Sequence, residues 1–301
     1  MMSPYSLSIL VSSVLGLVLA IPSNTCIVMG NLDSIRKKGK LNPTDVIFLA
    51  KGIVNILLRC VLSLQGMFYV LCQAYIYATE VRGFMNISIY FLFYYNFWLT
   101  FWLSAHYCTS ITNLSYGFFI WLKRIVSNFL SQLLFLTALG MFIVSVPWFW
   151  TVNAESIHSS ENSTEASGNR FHVNLPYVVP MTFLGRILSF CLSLLCLVLT
   201  SSFLLRHVWR VKNIDSGSTR PNLQVHVTAL RTIFFLLLLF IFFSVSQMGL
   251  FLHSFSLIIV SWDLQILSPS VEAAVIFQAS NKLRRIILRR FWTRSWRNTE
   301  N

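Results

Sequence analysis

The chain has 301 residues, of which 55% are hydrophobic and 15% aromatic, and it carries 23 Lys and Arg against 10 Asp and Glu, a formal charge of +13. Only 11% of the residues are charged, whereas soluble globular proteins have about 25%. This composition excludes a soluble enzyme, and the aromatic content excludes an intrinsically disordered chain. The class that remains is a polytopic membrane protein.

Stretches without charge locate the membrane-spanning helices, because about 20 apolar helical residues are needed to cross a hydrocarbon core. The first such stretch covers residues 1–32, and the longest covers the 40 residues 83–122, enough for one helix and a membrane-level loop. The 50 residues 232–281 are too long for one span and are predicted to turn at His253–Ser254. Seven spans are therefore predicted, at about residues 5–30, 46–72, 85–112, 125–150, 177–205, 229–253 and 256–281.

The charged residues inside the predicted spans include Lys51 and Arg59 in the second, Arg186 in the fifth and Glu272 in the seventh. Ionisable side chains at this depth are costly and usually face the bundle interior in pairs. Lys51, Asn55 and Arg59 are spaced i, i+4 and i+8, so they share one helix face. We therefore predict that Glu272 pairs with Lys51 or with Arg59. The alternative for Lys51 is that its side chain only extends along the helix to the membrane interface.

The distribution of basic residues predicts the orientation. Eighteen Lys and Arg residues fall in three loops and the C-terminal tail on one side of the predicted topology, against Arg82 and Arg170 on the other. The positive-inside rule assigns the basic side to the cytoplasm, so the N-terminus is predicted outside and the tail inside. The loop at about 151–175 is then extracellular, and its sequon Asn162-Ser163-Thr164 predicts a glycan on Asn162.

No pattern of catalytic or metal-binding residues is found in the sequence. It has no HExxH, GxSxG or phosphate-binding glycine motif, and its six histidines lack the paired spacing of a metal site. We expect no enzyme activity and no cofactor. The basic tail directly follows a span, which favours contact with anionic membrane lipid over nucleic acid. None of the six cysteines lies in the 151–175 loop, so free thiols are expected.

Four motifs occur in order along the predicted spans. Residues 98–108 read WLTFWLSAHYC and continue as TSITNLSYGFFIWLKR to Arg124. This segment resembles the third helix and second intracellular loop of type 2 bitter taste receptors. His226–Thr232 is similar to the H-x-x-A-x-K-T motif of that family, Leu41–Ile47 to its entry into helix two, and Lys282–Arg284 to its K-L-K motif after helix seven.

The resemblance covers nearly the whole chain and implies a G-protein-coupled receptor with an all-α, seven-transmembrane bundle as a single domain, 1–301. It implies that small organic, bitter-type compounds bind from outside, and that a heterotrimeric G protein of the gustducin/Gi type is activated inside. A multi-pass protein of the plasma membrane is expected. The residues expected to face the G protein are Lys123, Arg124, His207, His226 and Arg231.

An aromatic stripe on the third helix indicates where an agonist would bind. Tyr95, Trp98, Leu99 and Trp102 follow i, i+3, i+4 and i+7 and therefore share one face. The resemblance implies that Trp98 and Trp102 contact agonists. It adds five further pocket positions on the sixth and seventh helices: Phe243, Gln247, Trp262, Gln265 and Ile266. Without the resemblance, an aromatic stripe in a membrane bundle more often serves packing or the interfacial belt.

The chain departs from the family pattern at several positions. Asn55 stands where the family commonly has Arg, Ser110 where it has Lys, and Ser280 where it usually has Asn. Glu272-Ala273 matches a His-Ser pair of the family near the end of helix seven. These departures concern how the receptor changes state, so the candidate switch residues are Lys51, Asn55, Arg59 and Glu272.

Two alternatives remain open. A vomeronasal type 1 pheromone receptor would share the seven spans, but such receptors usually retain a cysteine in the loop at 151–175, and this chain has none there. A small channel or transporter would explain charges within the membrane, but it predicts inverted repeats or broken helices, and neither is found in the sequence.

Overall fold

The computed structural model describes residues 4–38, 42–71, 79–111, 117–149, 175–214, 221–249 and 255–279. These ranges are almost entirely helical and contain no strand. The helices are α1 (Pro4–Lys38), α2 (Pro43–Leu71), α3 (Thr79–Ile111), α4 (Gly117–Asn128), α5 (Leu130–Ser145), α6, α7 (Pro221–Gly249) and α8 (Phe255–Ala279). The continuous helix α6 consists of Leu175–Thr182, a π-helical turn at Phe183–Ile187, and Leu188–Ile214.

Three of the described helices contain a segment that is long and apolar enough to cross a membrane: Ser6–Asp33, Pro43–Phe68 and Pro176–Arg206. Shorter apolar segments occur at Leu130–Ser145 and Leu230–Phe242. Large apolar side chains cover the outside of the bundle, whereas many polar side chains are buried inside it. Helices with apolar outer faces and a polar interior are typical of a protein that is embedded in a lipid bilayer. The fold is therefore a helical membrane bundle.

The helices form a ring with α3 in its middle. α1 packs against α2 and α8, α7 packs against α6 and α8, and α3 contacts α2, α4, α5, α6 and α7. Because α3 is surrounded on most sides, it supplies many of the buried side chains of the core. The main cluster includes Leu58 and Leu62 from α2, Leu99 and Leu103 from α3, and Phe240 from α7.

The helix ends differ in detail from the predicted spans. α3 begins at Thr79, earlier than the predicted start at about 85. The fourth predicted span, 125–150, falls on two helices, because the chain bends at Phe129 between α4 and α5. The Phe129 amide still donates to the Ile125 carbonyl at 2.9 Å, so the bend keeps helical hydrogen bonding. The predicted turn at His253–Ser254 and the loop around Asn162 lie outside the described residues.

Candidate functional site

The centre of the bundle holds a buried ion pair between Lys51 of α2 and Glu272 of α8. The Lys51 side chain is 0% exposed, and Glu272 is buried as well. Lys51 also donates to two oxygens of Asn96 on α3, the side-chain Oδ1 at 2.9 Å and the carbonyl at 3.3 Å. Asn96 in turn donates from Nδ2 to the second carboxylate oxygen of Glu272 at 2.7 Å. Each charge therefore has its opposite charge and a neutral polar partner, which a buried pair needs to be tolerated.

Two further asparagines extend these contacts to α1. Asn96 donates to Asn55 Oδ1 at 3.2 Å, and Asn55 donates to Asn24 Oδ1 at 3.3 Å. Asn24 then donates to the carbonyl of Pro269 in α8 at 3.2 Å. Since Pro269 has no N–H to donate, α8 lacks the helical hydrogen bond from residue 269 to the carbonyl of residue 265. We call Lys51, Asn55, Asn96, Glu272 and Asn24 the polar network; it connects α1, α2, α3 and α8.

Arg59 lies outside this network, although it is buried on α2 as Lys51 and Asn55 are. Its guanidinium donates to the carbonyls of Ser12 at 3.0 Å, Ser13 at 2.6 Å and Ile266 at 3.2 Å. It lies directly against Gly16, where a Cβ atom would approach Arg59 Nη2 to 1.9 Å. Of the two cations considered as partners of Glu272, Lys51 makes the contact, and Arg59 joins α2 to the backbones of α1 and α8.

The aromatic stripe of α3 faces in more than one direction. Leu99 is fully buried in the core, whereas Tyr95, Trp98 and Trp102 are partly buried. The Trp98 indole N–H donates to the Leu184 carbonyl of α6 at 3.2 Å, and the Trp102 indole N–H donates to Thr137 Oγ1 of α5 at 3.0 Å. Both indole N–H groups are therefore engaged by neighbouring helices, and only the ring faces and edges are available to a ligand.

The other predicted pocket positions lie on α7 and α8. Gln265 and Ile266 of α8 are buried, at 3% and 1% exposure. The Nε2 atom of Gln265 has no hydrogen-bond partner among the described residues. Phe243 and Gln247 lie on α7 and Trp262 on α8, and the side chains of these three are outside the described part of the structure.

The residues predicted to face the G protein lie at one end of the bundle. This is the end at which α3 ends and α4 begins, and at which α6 ends and α7 begins. Lys123 and Arg124 on α4 and Arg231 on α7 are exposed. His207 belongs to α6 and His226 to α7, and nothing is described of their side chains.

Sequence reasoning did not identify Asn96, Asn24 or a second polar cluster built around Tyr94. The Trp148 indole N–H donates to the Tyr94 hydroxyl at 3.3 Å, and Trp148 stacks on Tyr90 with ring centroids 3.7 Å apart. A buried asparagine in an apolar helix is a detectable signal, because such amides bond across helices in membranes. Neither asparagine carries a charge or stands at a position where the resemblance indicates a departure from the family pattern, and the switch residues were predicted from those two features.

The described residues contain no group of three or more His, Cys, Asp and Glu side chains that could hold a metal ion. Five cysteines in the described ranges are in no disulfide, namely Cys26, Cys60, Cys108, Cys191 and Cys196. Cys72 and the glycosylation candidate Asn162 are outside the described residues.

Comparison with known proteins agrees with the motif resemblance. The family model described as taste receptor protein (TAS2R) matches residues 1–295. Taste receptor type 2 member 9 of Homo sapiens is 27% identical over 289 residues, covering 91% of this chain and 89% of the relative. Taste receptor type 2 member 40 of Gallus gallus is 27% identical over 237 residues, covering 76% of this chain and 74% of the relative.

The motif resemblance is confirmed by this match, and members of the family are G-protein-coupled receptors, not enzymes. The chain belongs to the type 2 taste receptor family and is a bitter taste receptor.

Proposed function

We propose that this receptor binds small organic agonists in the outer half of its bundle and activates a heterotrimeric G protein of the gustducin/Gi type at the plasma membrane. The observation that carries the proposal is the polar network at the bundle centre. Its member Asn96 lies beside Tyr95 and near Trp98 on α3, and the C-terminal end of α3 leads to the end of the bundle that carries Lys123 and Arg124. A ligand that moves α3 or α8 would change the network, and the network reaches α1 and α2.

The agonist site is proposed at the aromatic region of α3 together with the facing parts of α7 and α8. Its members are the nine residues Tyr95, Trp98, Leu99, Trp102, Phe243, Gln247, Trp262, Gln265 and Ile266. Trp98 and Trp102 would contribute ring surface, since their N–H groups already bond to α6 and α5. Gln265 would contribute the free Nε2 donor, which is buried without a described partner. Ligand pockets are commonly apolar walls with a few such polar groups.

The switch is proposed at Lys51, Asn55 and Glu272, with Arg59 holding the adjacent backbones in place. A buried, hydrogen-bonded ion pair is a discrete arrangement that is either made or broken, which suits an element with two states. Breaking it without replacing its partners leaves a buried charge uncompensated. The pair therefore favours one receptor state, and agonist binding shifts the population to the other.

The G-protein surface is proposed at the exposed basic residues of α4 and α7. The positive-inside rule predicts that this end of the bundle is cytoplasmic. It carries the exposed residues Lys123, Arg124 and Arg231, and His207 and His226 belong to the same end because they lie near the end of α6 and the start of α7. Positive potential there would steer an acidic partner surface and is expected to act on the rate of encounter.

The test is a calcium-response screen of a bitter-compound panel in cells that express the chain with a reporter G protein. We expect responses that pertussis toxin abolishes and that the double variant Lys123→Glu/Arg124→Glu lacks at normal surface expression. Glu80→Gln is the matched control, because Glu80 is exposed at the start of α3, at the opposite end of the bundle. Agonist responses that persist after the G protein is blocked would overturn the proposal.

A further inference from the structure

Arg186 of α6 is a cation without a counter-ion among the residues that the structure describes. It lies within the π-helical turn at Phe183–Ile187, 11 residues from the first residue of α6, which is about 16 Å along the helix. It forms no ion pair with any described residue, and its Nε atom is buried without a hydrogen-bond partner among them. An ionisable residue at this depth in a bundle indicates a functional site and requires that its partner be identified.

The surroundings of Arg186 are aromatic and neutral. Among the described residues, its electrostatic neighbours are the hydroxyls of Tyr90 and Tyr94 on α3. Gly185 allows this approach, because a Cβ atom at that position would come within 2.5 Å of the Tyr94 ring. The Tyr94 hydroxyl accepts a hydrogen bond from Trp148, which stacks on Tyr90. Arg186 therefore lies next to a group of aromatic side chains, Tyr90 and Tyr94 of α3 together with Trp148, which follows α5.

The π-helical turn itself gives a second link between this region and the proposed agonist site. A π-turn inserts one residue into the helix and is found frequently at functional sites. Within this turn, the Leu184 carbonyl accepts the indole N–H of Trp98 at 3.2 Å. The same turn thus carries the unpaired cation and anchors one of the tryptophans proposed to contact agonists.

The other described charges do not compensate Arg186. Arg59 is also positive and is already bound by three carbonyls. Glu272 is paired with Lys51, and Glu80 is exposed at the start of α3. Asp263 on α8 is not among the electrostatic neighbours of Arg186. Arg186 is partly buried, with its Nε atom fully buried, and a partly buried cation without a counter-ion among the described residues carries a desolvation cost that a bound anion would offset.

We propose that Arg186 is a ligand-recognition residue that selects agonists carrying a carboxylate or sulfonate on an aromatic body. The guanidinium would bind the acidic group, since Arg has a planar set of donors that matches two oxygens at once. The ring of Tyr90, which is partly exposed and is held in place by stacking on the buried Trp148, would pack against the aromatic body. This inference rests on the proposed receptor function and adds the charge class of the ligand to it.

The test measures binding directly, by thermal stabilisation of the purified full-length receptor in detergent. The probes are naphthalene-2-carboxylate, naphthalene-2-sulfonate and the neutral naphthalene-2-carboxamide, which share one ring system. In the wild type we expect the two anions to stabilise at concentrations about 10- to 100-fold lower than the amide requires, as for a hydrogen bond to a charged group. Arg186→Gln should remove this difference, and Arg186→Lys should retain part of it. Arg206→Gln, an exposed position on the same helix, is the matched control.

The outcomes separate this inference from the receptor function. Equal stabilisation of the wild type by anions and amide, or stabilisation by none of the probes, would overturn the inference even if the Gln variant fails to fold. A preference for anions that survives in Arg186→Gln would overturn it too. A bitter-compound panel that activates the G protein while these probes show no charge preference would leave the receptor function standing. The reverse result, anion binding without any G-protein response, would count against the receptor function instead.

Discussion

Lys51 on α2 and Glu272 on α8 form a buried ion pair, and Asn96 on α3 bonds to both partners. Both charged residues lie at or next to positions where the motif resemblance indicates a difference from the family pattern. By the motif resemblance, Asn55 is expected to match an Arg that is common on helix two, with Lys51 one turn away, and Glu272-Ala273 to match a His-Ser pair of helix seven. The ion pair therefore joins the two helices on which these departures from the expected pattern lie.

Removing the carboxylate charge should alter signalling. Glu272→Gln leaves Lys51 as an uncompensated buried cation, which costs about 3 to 5 kcal/mol. That is comparable to or larger than the gap of a few kcal/mol between receptor states. We expect a changed basal activity or maximal response, measured by G-protein activation at matched surface expression.

The exchange of charges identifies the partner. Lys51→Glu combined with Glu272→Lys should restore more function than either single change. Arg59→Glu combined with Glu272→Lys is the control and should not restore function, because Arg59 bonds to backbone carbonyls that a carboxylate would repel. Equal recovery in both double variants, or recovery in neither with all variants at the surface, would argue against the pair as a switch.

A methyl group at Gly16 should displace Arg59. The Cβ atom of Gly16→Ala would lie 1.9 Å from Arg59 Nη2, so the guanidinium must shift, and each bond to a carbonyl that it loses costs about 1.5 to 3 kcal/mol. We expect a lower melting temperature of the purified receptor and less protein at the cell surface. Gly140→Ala is the matched control, since nothing lies within 4 Å of a Cβ there, and it should be neutral or slightly stabilising. Similar effects of both substitutions would show that Arg59 adapts freely.

The two tryptophans of α3 should affect agonist potency through their rings. Trp98→Ala and Trp102→Ala each remove a large aromatic surface, and we expect a loss of potency equivalent to about 1 to 3 kcal/mol. Concentration–response curves at matched surface expression measure this. Phe variants keep most of the ring and lose the bonds to Leu184 and Thr137, so they separate the two contributions. Unchanged potency across several agonists, together with reduced thermal stability, would assign both residues to helix packing.

Epitope tags test the orientation. A tag before Met1 should be accessible to antibody on intact cells, and a tag after Asn301 only after permeabilisation. The reason is that 18 Lys and Arg residues lie on the side of the tail and only two on the other side. Antibody staining with and without detergent is the measurement, and reversed accessibility would contradict the charge rule for this chain.

Glycosylation tests the loop at 151–175 independently. Asn162→Gln should remove a mass shift that is sensitive to endoglycosidase, because the sequon is expected on the extracellular side. Electrophoresis before and after enzyme treatment measures it, with Asn153→Gln as a control outside the sequon. A shift that persists in Asn162→Gln would move the glycan to another asparagine.

The sequence by itself determined the class and the family of this protein. Long stretches without charge predict spans because lipid penalises charged side chains, and the ordered motifs around Trp98, His226 and Lys282 resemble the family that the comparison confirmed. The spacing of Lys51, Asn55 and Arg59 showed that they share one face, since helix periodicity is a local property.

Only the tertiary structure decided which of these residues meet. Lys51 and Arg59 are two turns apart on one face, and the position of α8 relative to α2 brings Glu272 to Lys51 and the Ile266 carbonyl to Arg59. Helix rotation and crossing depend on the packing of all neighbouring side chains, so sequence spacing within one helix does not contain them. The same holds for Asn96, whose role requires three helices to meet at one point. It holds as well for Arg186, because only the packing of α6 against α3 shows that its described neighbours are Tyr90 and Tyr94 and include no carboxylate.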